Sequence, residues 1–394
     1  MTFSRKILPA LKNQLNTPEI IVLTGMRRVG KTTLYRTLFD QLDNPHKIFL
    51  DIENPLDQKI FEEIDYNNIW KNLHRLGLTE NQKAYVFLDE IQAMPEIVKP
   101  IKYLYDHYQI KFFLTGSSSF YLKNLFPESL AGRKIIFELF PLDFQEFLVF
   151  KNQPGSPNDS FASKNRHKNM VSYAKTIKLY DEFLQYGGFP GVVTEADPAQ
   201  KQYQLNDIFK SYYEKDIKGL ADFRDLNAVR DLILLLTQRI GSRLDITKLA
   251  SELGISRETV YSYLSFLEAT YFISTISSFS RNVDREISGR NKVYLCDTGI
   301  LNQLGKVADG HIFENAVFNS LKQLGKINYY QKRKSEREID FIINEKTAIE
   351  VKNKATQEYL KDLSGLCKSL AMDDYYIISK EFMNLDRVIP ATDL

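Results

Sequence analysis

The chain has 394 residues, a net charge of +2, 43% hydrophobic and 26% charged residues. That length suffices for two or three cored domains, and the balance is that of a globular protein, not a disordered or fibrous one. So mild a charge excludes a nucleic-acid binder declared by composition alone, and two cysteines, Cys296 and Cys367, exclude a disulfide framework or a cysteine-rich zinc site.

The start of the chain, Met1 to Lys6, leads into no apolar stretch. No segment approaches the ~18 apolar residues of a membrane span, and no signal peptide is visible, so the expected location is cytoplasmic, away from membranes. Strand-like runs follow at Glu19–Thr24, Lys47–Asp51, Ala84–Leu88, Lys111–Thr115 and Lys134–Leu139, with helical stretches between them. Alternation of this kind predicts an α/β domain over residues 1–150 with a mostly parallel, covered sheet.

Gly25-Met26-Arg27-Arg28-Val29-Gly30-Lys31-Thr32 is a complete G-x-x-x-x-G-K-T segment between a strand-like run and a helical one. Its glycines let backbone wrap phosphates, and the helix N-terminus supplies N–H groups and a positive dipole end. Gly25, Arg28, Gly30, Lys31, Thr32 and Thr33 are therefore the expected ATP-binding residues. Lys31 is aimed at the β- and γ-phosphates and Thr32 at Mg²⁺. Tyr85-Val86-Phe87-Leu88 then delivers Asp89 and Glu90 to a strand's C-terminal end, where open sheets bind ligands. Asp89 is expected to hold the metal and Glu90 to polarise water. Near the end of Phe112–Ser119, Ser117, or else Thr115, is the candidate polar contact to phosphate or water; a serine-rich helix cap is the alternative.

These elements resemble the AAA+ superfamily. The segments GMRRVGKTTL, VFLDEIQ, FLTGSSS, LAGRK, YGGFPGVV, KVYLCDTG and EREIDFII…IEVKNK together resemble a bacterial and archaeal family that joins such an ATPase to a nuclease-like C-terminal domain. The resemblance implies a sheet of order 5-1-4-3-2. It implies a phosphate-stabilising Arg133, acting in cis or from a neighbour in an oligomer; an ordinary surface arginine is the alternative.

Residues 151–170 hold Pro, Gly, Ser, Asn and Lys without apolar period, and read as a flexible insertion. With the helical pattern that follows they form the expected connector, 151–227. Residues 228–304 hold a helix-turn-helix pattern. Asp245 caps a helix with apolar residues at 246, 249, 250 and 253, Gly254 ends it, and Ser256 caps a second helix with Val260, Leu264 and Leu267 inward. Arg257 and Tyr261 face outward, and strand-like runs with Arg281 and Arg285 between them suggest a wing. DNA contact is one reading; a helical packing module is the other, since the second helix carries a single basic residue.

In the last part, 305–394, Glu338–Ile343 and Thr347–Lys352 read as a hairpin around Asn344-Glu345-Lys346. Alternation puts Asp340, Glu350 and Lys352 on one face, with the two carboxylates opposite each other, where a cation would relieve repulsion. Asp…Glu-x-Lys on a helix-strand-strand-strand-helix-strand pattern resembles the restriction-endonuclease-like core. That implies Mg²⁺ at Asp340 and Glu350, water at Lys352 and a further acid at Glu314. A solvated face with Glu350 paired to Lys352 is the alternative. The chain therefore reads as an ATPase acting on DNA, or as a nucleotide-dependent switch that binds protein partners.

Overall fold

The structure is a computed structural model that describes residues 4–79, 82–116, 132–155, 160–220, 223, 225–280, 289–332 and 337–394. Ser117, Arg281 and Arg285 lie outside the described residues. The chain parts into two compact units, Met1–Phe140 with Ala269–Tyr271, and Pro141–Glu268 with Phe272–Leu394.

The first unit is built on five parallel strands: β1 Ile20–Thr24, β2 Lys47–Asp51, β3 Ala84–Asp89, β4 Ile110–Gly116 and β5 Lys134–Glu138. Their spatial order is β2-β3-β4-β1-β5, the order that the resemblance implies. Strands β1, β3 and β4 are buried along their whole length, which is why they read as unbroken apolar runs. One face is filled by aromatics. Phe87 stacks on Phe113 at 4.5 Å, and Tyr35 of the helix Lys31–Gln41 meets both edge-on at 5.7 Å. On the other face Val86, Leu88, Phe112 and Leu114 pack with Ile69, Leu73 and Ile101 from two helices.

The second unit contains the three later parts of the sequence, 151–227, 228–304 and 305–394, apart from Ala269–Tyr271. The expected flexible insertion is in part a helix, Phe161–His167, capped by Ser160. Its lysines explain the difference. Lys168 Nζ donates to the carbonyl of Val388 at 2.7 Å and to that of Leu385, and Lys164 Nζ to that of Asp393. An ammonium satisfying carbonyls leaves no apolar signature.

The helix-turn-helix takes the predicted form, Ile246–Leu253 and Arg257–Ala269. Asp245 accepts the Lys248 N–H at 3.0 Å, a cap worth about 0.5–2 kcal/mol. Gly254 turns the chain at φ 66°. Two antiparallel strands follow, β6 Ile273–Ile276 and β7 Lys292–Leu295. The C-terminal sheet has β8 Ile327–Gln331, β9 Glu338–Ile343, β10 Thr347–Lys352, β11 Asp374–Ser379 and β12 Val388–Pro390, in the order β12-β11-β10-β9-β8. The hairpin register is the one expected, Thr347 against Ile343 and Ile349 against Phe341.

Two of the quoted segments dock on each other. The Gly188 N–H donates to Asp297 Oδ2 at 2.7 Å, and Ile300 N–H to Asp297 Oδ1 at 3.1 Å. A Cβ on Gly187 would lie 2.1 Å from Asp297, and one on Gly299 2.2 Å from the Tyr186 carbonyl oxygen. YGGFPG and LCDTG thus form a structural joint that side chains would prise apart.

Candidate functional site

The P-loop joins β1 to the helix Lys31–Gln41 at the C-terminal edge of the parallel sheet. Gly25 has φ 149°, and a Cβ there would lie 2.1 Å from the Leu139 carbonyl oxygen. Gly30 caps the helix at φ 97°. Both positions need glycine for conformation, and the first also for space. Lys31 is buried, and its ammonium donates to the carbonyls of Gly25 at 3.0 Å and Met26 at 3.1 Å. Arg28 stands exposed at φ 65°, and Thr33 is exposed on the first helical turn.

Asp89 ends β3 and is buried. Burial raises its pKa, while hydrogen bonds from Thr115 and Thr32 favour the charged form. The P-loop threonine and the β3 aspartate therefore meet, an oxygen pair suited to a hard divalent cation. Glu90 follows in the left-handed region at φ 52°, and Gln92 donates to its carboxylate. Thr115, fully buried at the end of β4, ties the two acids together. Its hydroxyl donates to Asp89 Oδ1 and accepts the Glu90 backbone N–H at 2.9 Å. Lys31, Thr32, Asp89, Glu90 and Thr115 so converge on one edge of the sheet.

Arg133 does not join them. It immediately precedes β5, its carbonyl accepts the Ile20 N–H at 2.7 Å, and its Nε donates to Asp106 at 3.0 Å. That is the opposite end of β1 from the P-loop, about 15 Å away at ~3.3 Å per residue. A cis role at the phosphates is corrected by this placement. The signal was in the sequence: a residue just before a parallel strand lies at the edge away from the ligand.

The second cluster is on the C-terminal sheet. Asp340 Oδ2 accepts the Val351 N–H at 2.8 Å, next to Glu350. Glu350 pairs with Lys352 at 2.7 Å, and its buried second oxygen has no hydrogen-bond partner among the described residues. Glu314, from the helix Asp309–Leu321, accepts the Tyr294 hydroxyl at 2.7 Å. Burial, then the Asp340 charge, pushes both Glu314 and Glu350 upward. Two residues missed by the sequence reading complete the cluster. Glu338 lies two residues before Asp340 and shares its face, which alternation alone could have shown. Lys292, from β7, reaches Glu338 at 3.4 Å, Glu314 at 3.8 Å and Asp340 at 4.0 Å.

The orphaned Glu350 oxygen suits a metal ion, but the rest of the cluster does not. Among the described residues no group of three acidic, histidine or cysteine side chains is gathered as a metal would require. The repulsion between Asp340 and Glu350 is relieved by lysines instead. The arrangement present thus disagrees with a bound divalent ion.

Of the expected DNA contacts, Arg257 and Tyr261 are exposed on the second helix of the helix-turn-helix. Glu258 is exposed beside them.

An AAA domain family matches residues 17–148, and two domains of unknown function match 177–310 (DUF8612) and 309–394 (DUF4143). An uncharacterized protein of Methanocaldococcus jannaschii is 30% identical over 336 residues, which are 82% of this chain and 72% of that protein. The chain belongs to the same family. An uncharacterized protein of Haemophilus influenzae is 27% identical over 341 residues, 83% of this chain and 80% of its own. Among solved structures, the Walker-type ATPase PABY2304 of Pyrococcus abyssi is similar at a TM-score of 0.49 and 17% identity, over 77% of this chain and 95% of its own. The ORC1 protein of Aeropyrum pernix in complex with DNA is similar at 0.34 and 12%, over 77% and 93%. The AAA match contains the P-loop cluster. The C-terminal match contains Glu314, Glu338, Asp340, Glu350 and Lys352, whereas Lys292 falls in the preceding one. These matches lend the restriction-endonuclease-like reading no support. Among the described residues no helix is long and apolar enough to cross a membrane.

Proposed function

We propose that this protein is an AAA+ ATPase that hydrolyses Mg·ATP and acts on DNA. The observation that carries the first half is the Thr32–Asp89–Thr115 contact, with Glu90 fixed beside it at the mouth of the P-loop. Lys31 exchanges its carbonyl partners for the β- and γ-phosphates of the substrate. Thr32 and Asp89 hold the substrate's magnesium. Glu90 orients and polarises the attacking water, and Thr115 holds both acids in place. Arg133, on the far edge of the sheet, acts on the phosphates of a neighbouring copy in an oligomer.

The second half rests on the helix-turn-helix, which presents Arg257 and Tyr261 to solvent ahead of the two-stranded ribbon. Read as a winged helix, it would place the second helix in a groove. Strand cleavage by the C-terminal sheet is not part of this proposal, because Lys292 and Lys352 stand against the acids that would bind the metal. Glu258 on the exposed helix face favours a second reading, a nucleotide-dependent switch whose C-terminal unit binds protein partners.

ATPase assays with single-stranded, duplex and branched DNA across a salt series separate the two. Stimulation that weakens steeply with salt is the expected result. Indifference to DNA, with tight ADP retention, supports the switch.

A further inference from the structure

Lys292 and Lys352 pair with different acids of one cluster, from different places. Lys352 lies on β10, two residues from its partner Glu350. Lys292 comes from the other sheet, at the start of β7, and its side chain is 3% exposed. Three carboxylates surround its ammonium between 3.4 and 4.0 Å, and the Tyr329 ring covers it with a centroid distance of 5.4 Å. Burial alone would lower its pKa; Glu314, Asp340 and Glu338 outweigh burial and raise it. The ammonium is therefore held charged against Asp340, one of the two carboxylates expected to ligate a divalent ion. Gly241 leaves room for this packing, since a Cβ there would lie 2.9 Å from the Glu314 oxygens.

We propose that Lys292 is the resident cation of the acidic cluster and excludes divalent metal from it, so that metal enters only by exchange with this lysine. Two observations support exchange rather than permanent closure. The two ammonium groups face four acidic side chains, Glu314, Glu338, Asp340 and Glu350, so the cluster has more acids than lysines. The buried Glu350 oxygen has no hydrogen-bond partner among the described residues. The proposal rests on these carboxylates being able to ligate a cation, not on ATP hydrolysis or DNA binding.

The test uses the full chain without nucleotide or DNA, with Mn²⁺ as the probe. Bound Mn²⁺ is followed by the loss of its free electron paramagnetic resonance signal, and stability by thermal melting. Wild type and Lys292→Arg should show no stoichiometric Mn²⁺ uptake and no change in melting temperature. Lys292→Met should melt lower without metal, since it leaves buried carboxylates uncompensated. It should bind one Mn²⁺ and regain stability through linkage. Adding Asp340→Asn to Lys292→Met should remove the uptake. Stoichiometric Mn²⁺ on wild type that Asp340→Asn abolishes would overturn the exclusion. A folded Lys292→Met that ignores Mn²⁺, or an unfolded one that Mn²⁺ in the refolding buffer does not rescue, would reduce Lys292 to a packing residue. These outcomes leave the DNA-stimulated ATPase reading to stand or fall on its own assay.

Discussion

In the N-terminal unit Lys31 donates to backbone carbonyls while Asp89 is held by threonine hydroxyls. In the C-terminal unit Lys292 and Lys352 lie directly against carboxylates. Both arrangements bury a lysine near acids, yet they suit different occupants. A neutral carbonyl gives up an ammonium cheaply when a phosphate arrives, and the hydroxyl donors offset part of the upward push of burial on Asp89 without cancelling its charge. A carboxylate gives up its ammonium only to another cation. The first cluster is open to an anion with its metal; the second already holds two lysine ammonium groups against its acids.

Lys31→Ala should break the first half of this comparison most completely. It removes the positive charge at the phosphates, and nucleotide titration should show ATP binding abolished. Glu90→Gln should keep ATP binding and slow hydrolysis on the order of 10²-fold, measured as steady-state turnover, because Asp89 and Thr32 are untouched. Unchanged turnover would remove Glu90 from the chemistry.

Thr115→Val sharpens the same half. It deletes the donor to Asp89 and the acceptor for the Glu90 N–H, leaving buried groups unpaired at a cost of roughly 1–3 kcal/mol. Chemical denaturation should show that loss, and turnover should acquire a greater magnesium requirement while ATP affinity holds.

Glu350→Gln probes the second half through pH. Burial, then Asp340, pushes the Glu350 carboxyl up to about 8 from the ordinary 4.5. Between these values the native protein binds more protons than the unfolded chain, so stability falls as pH rises through the window. The glutamine variant lacks this fall. Measured by denaturation, its stability relative to wild type should improve from about pH 5 to about pH 8. An unchanged difference would mean the carboxylate is solvated. Arg257→Ala should give the smallest effect, a uniform loss of DNA affinity with the salt slope reduced by about 1.

The P-loop and Asp89-Glu90 were legible because each is a local property. Gly25 and Gly30 sit where backbone conformation admits little else, and an apolar strand ends on its acids. The hairpin was legible for the same reason, since a three-residue loop and alternation set its register. The cis option for Arg133 stayed open in the sequence because its strand's direction was not carried through to which edge it occupies. Thr115 was placed second because its contacts to Asp89 and Glu90 come from the neighbouring strand β3, not from residues beside it in sequence.

What the sequence by itself determined is therefore the set of elements whose chemistry is written in neighbouring residues: the P-loop, the β3 acids, the helix-turn-helix caps and the hairpin face. What only the tertiary structure decided is which distant groups share charge or space. Asp297 meets Gly188 across more than a hundred residues. Lys168 reaches the carbonyls of Leu385 and Val388. Lys292, one lysine in an ordinary strand pattern, becomes the counter-ion of three acids on two other elements. Charge pairing depends on distance in space, and periodicity along a chain reports only the distance within one element.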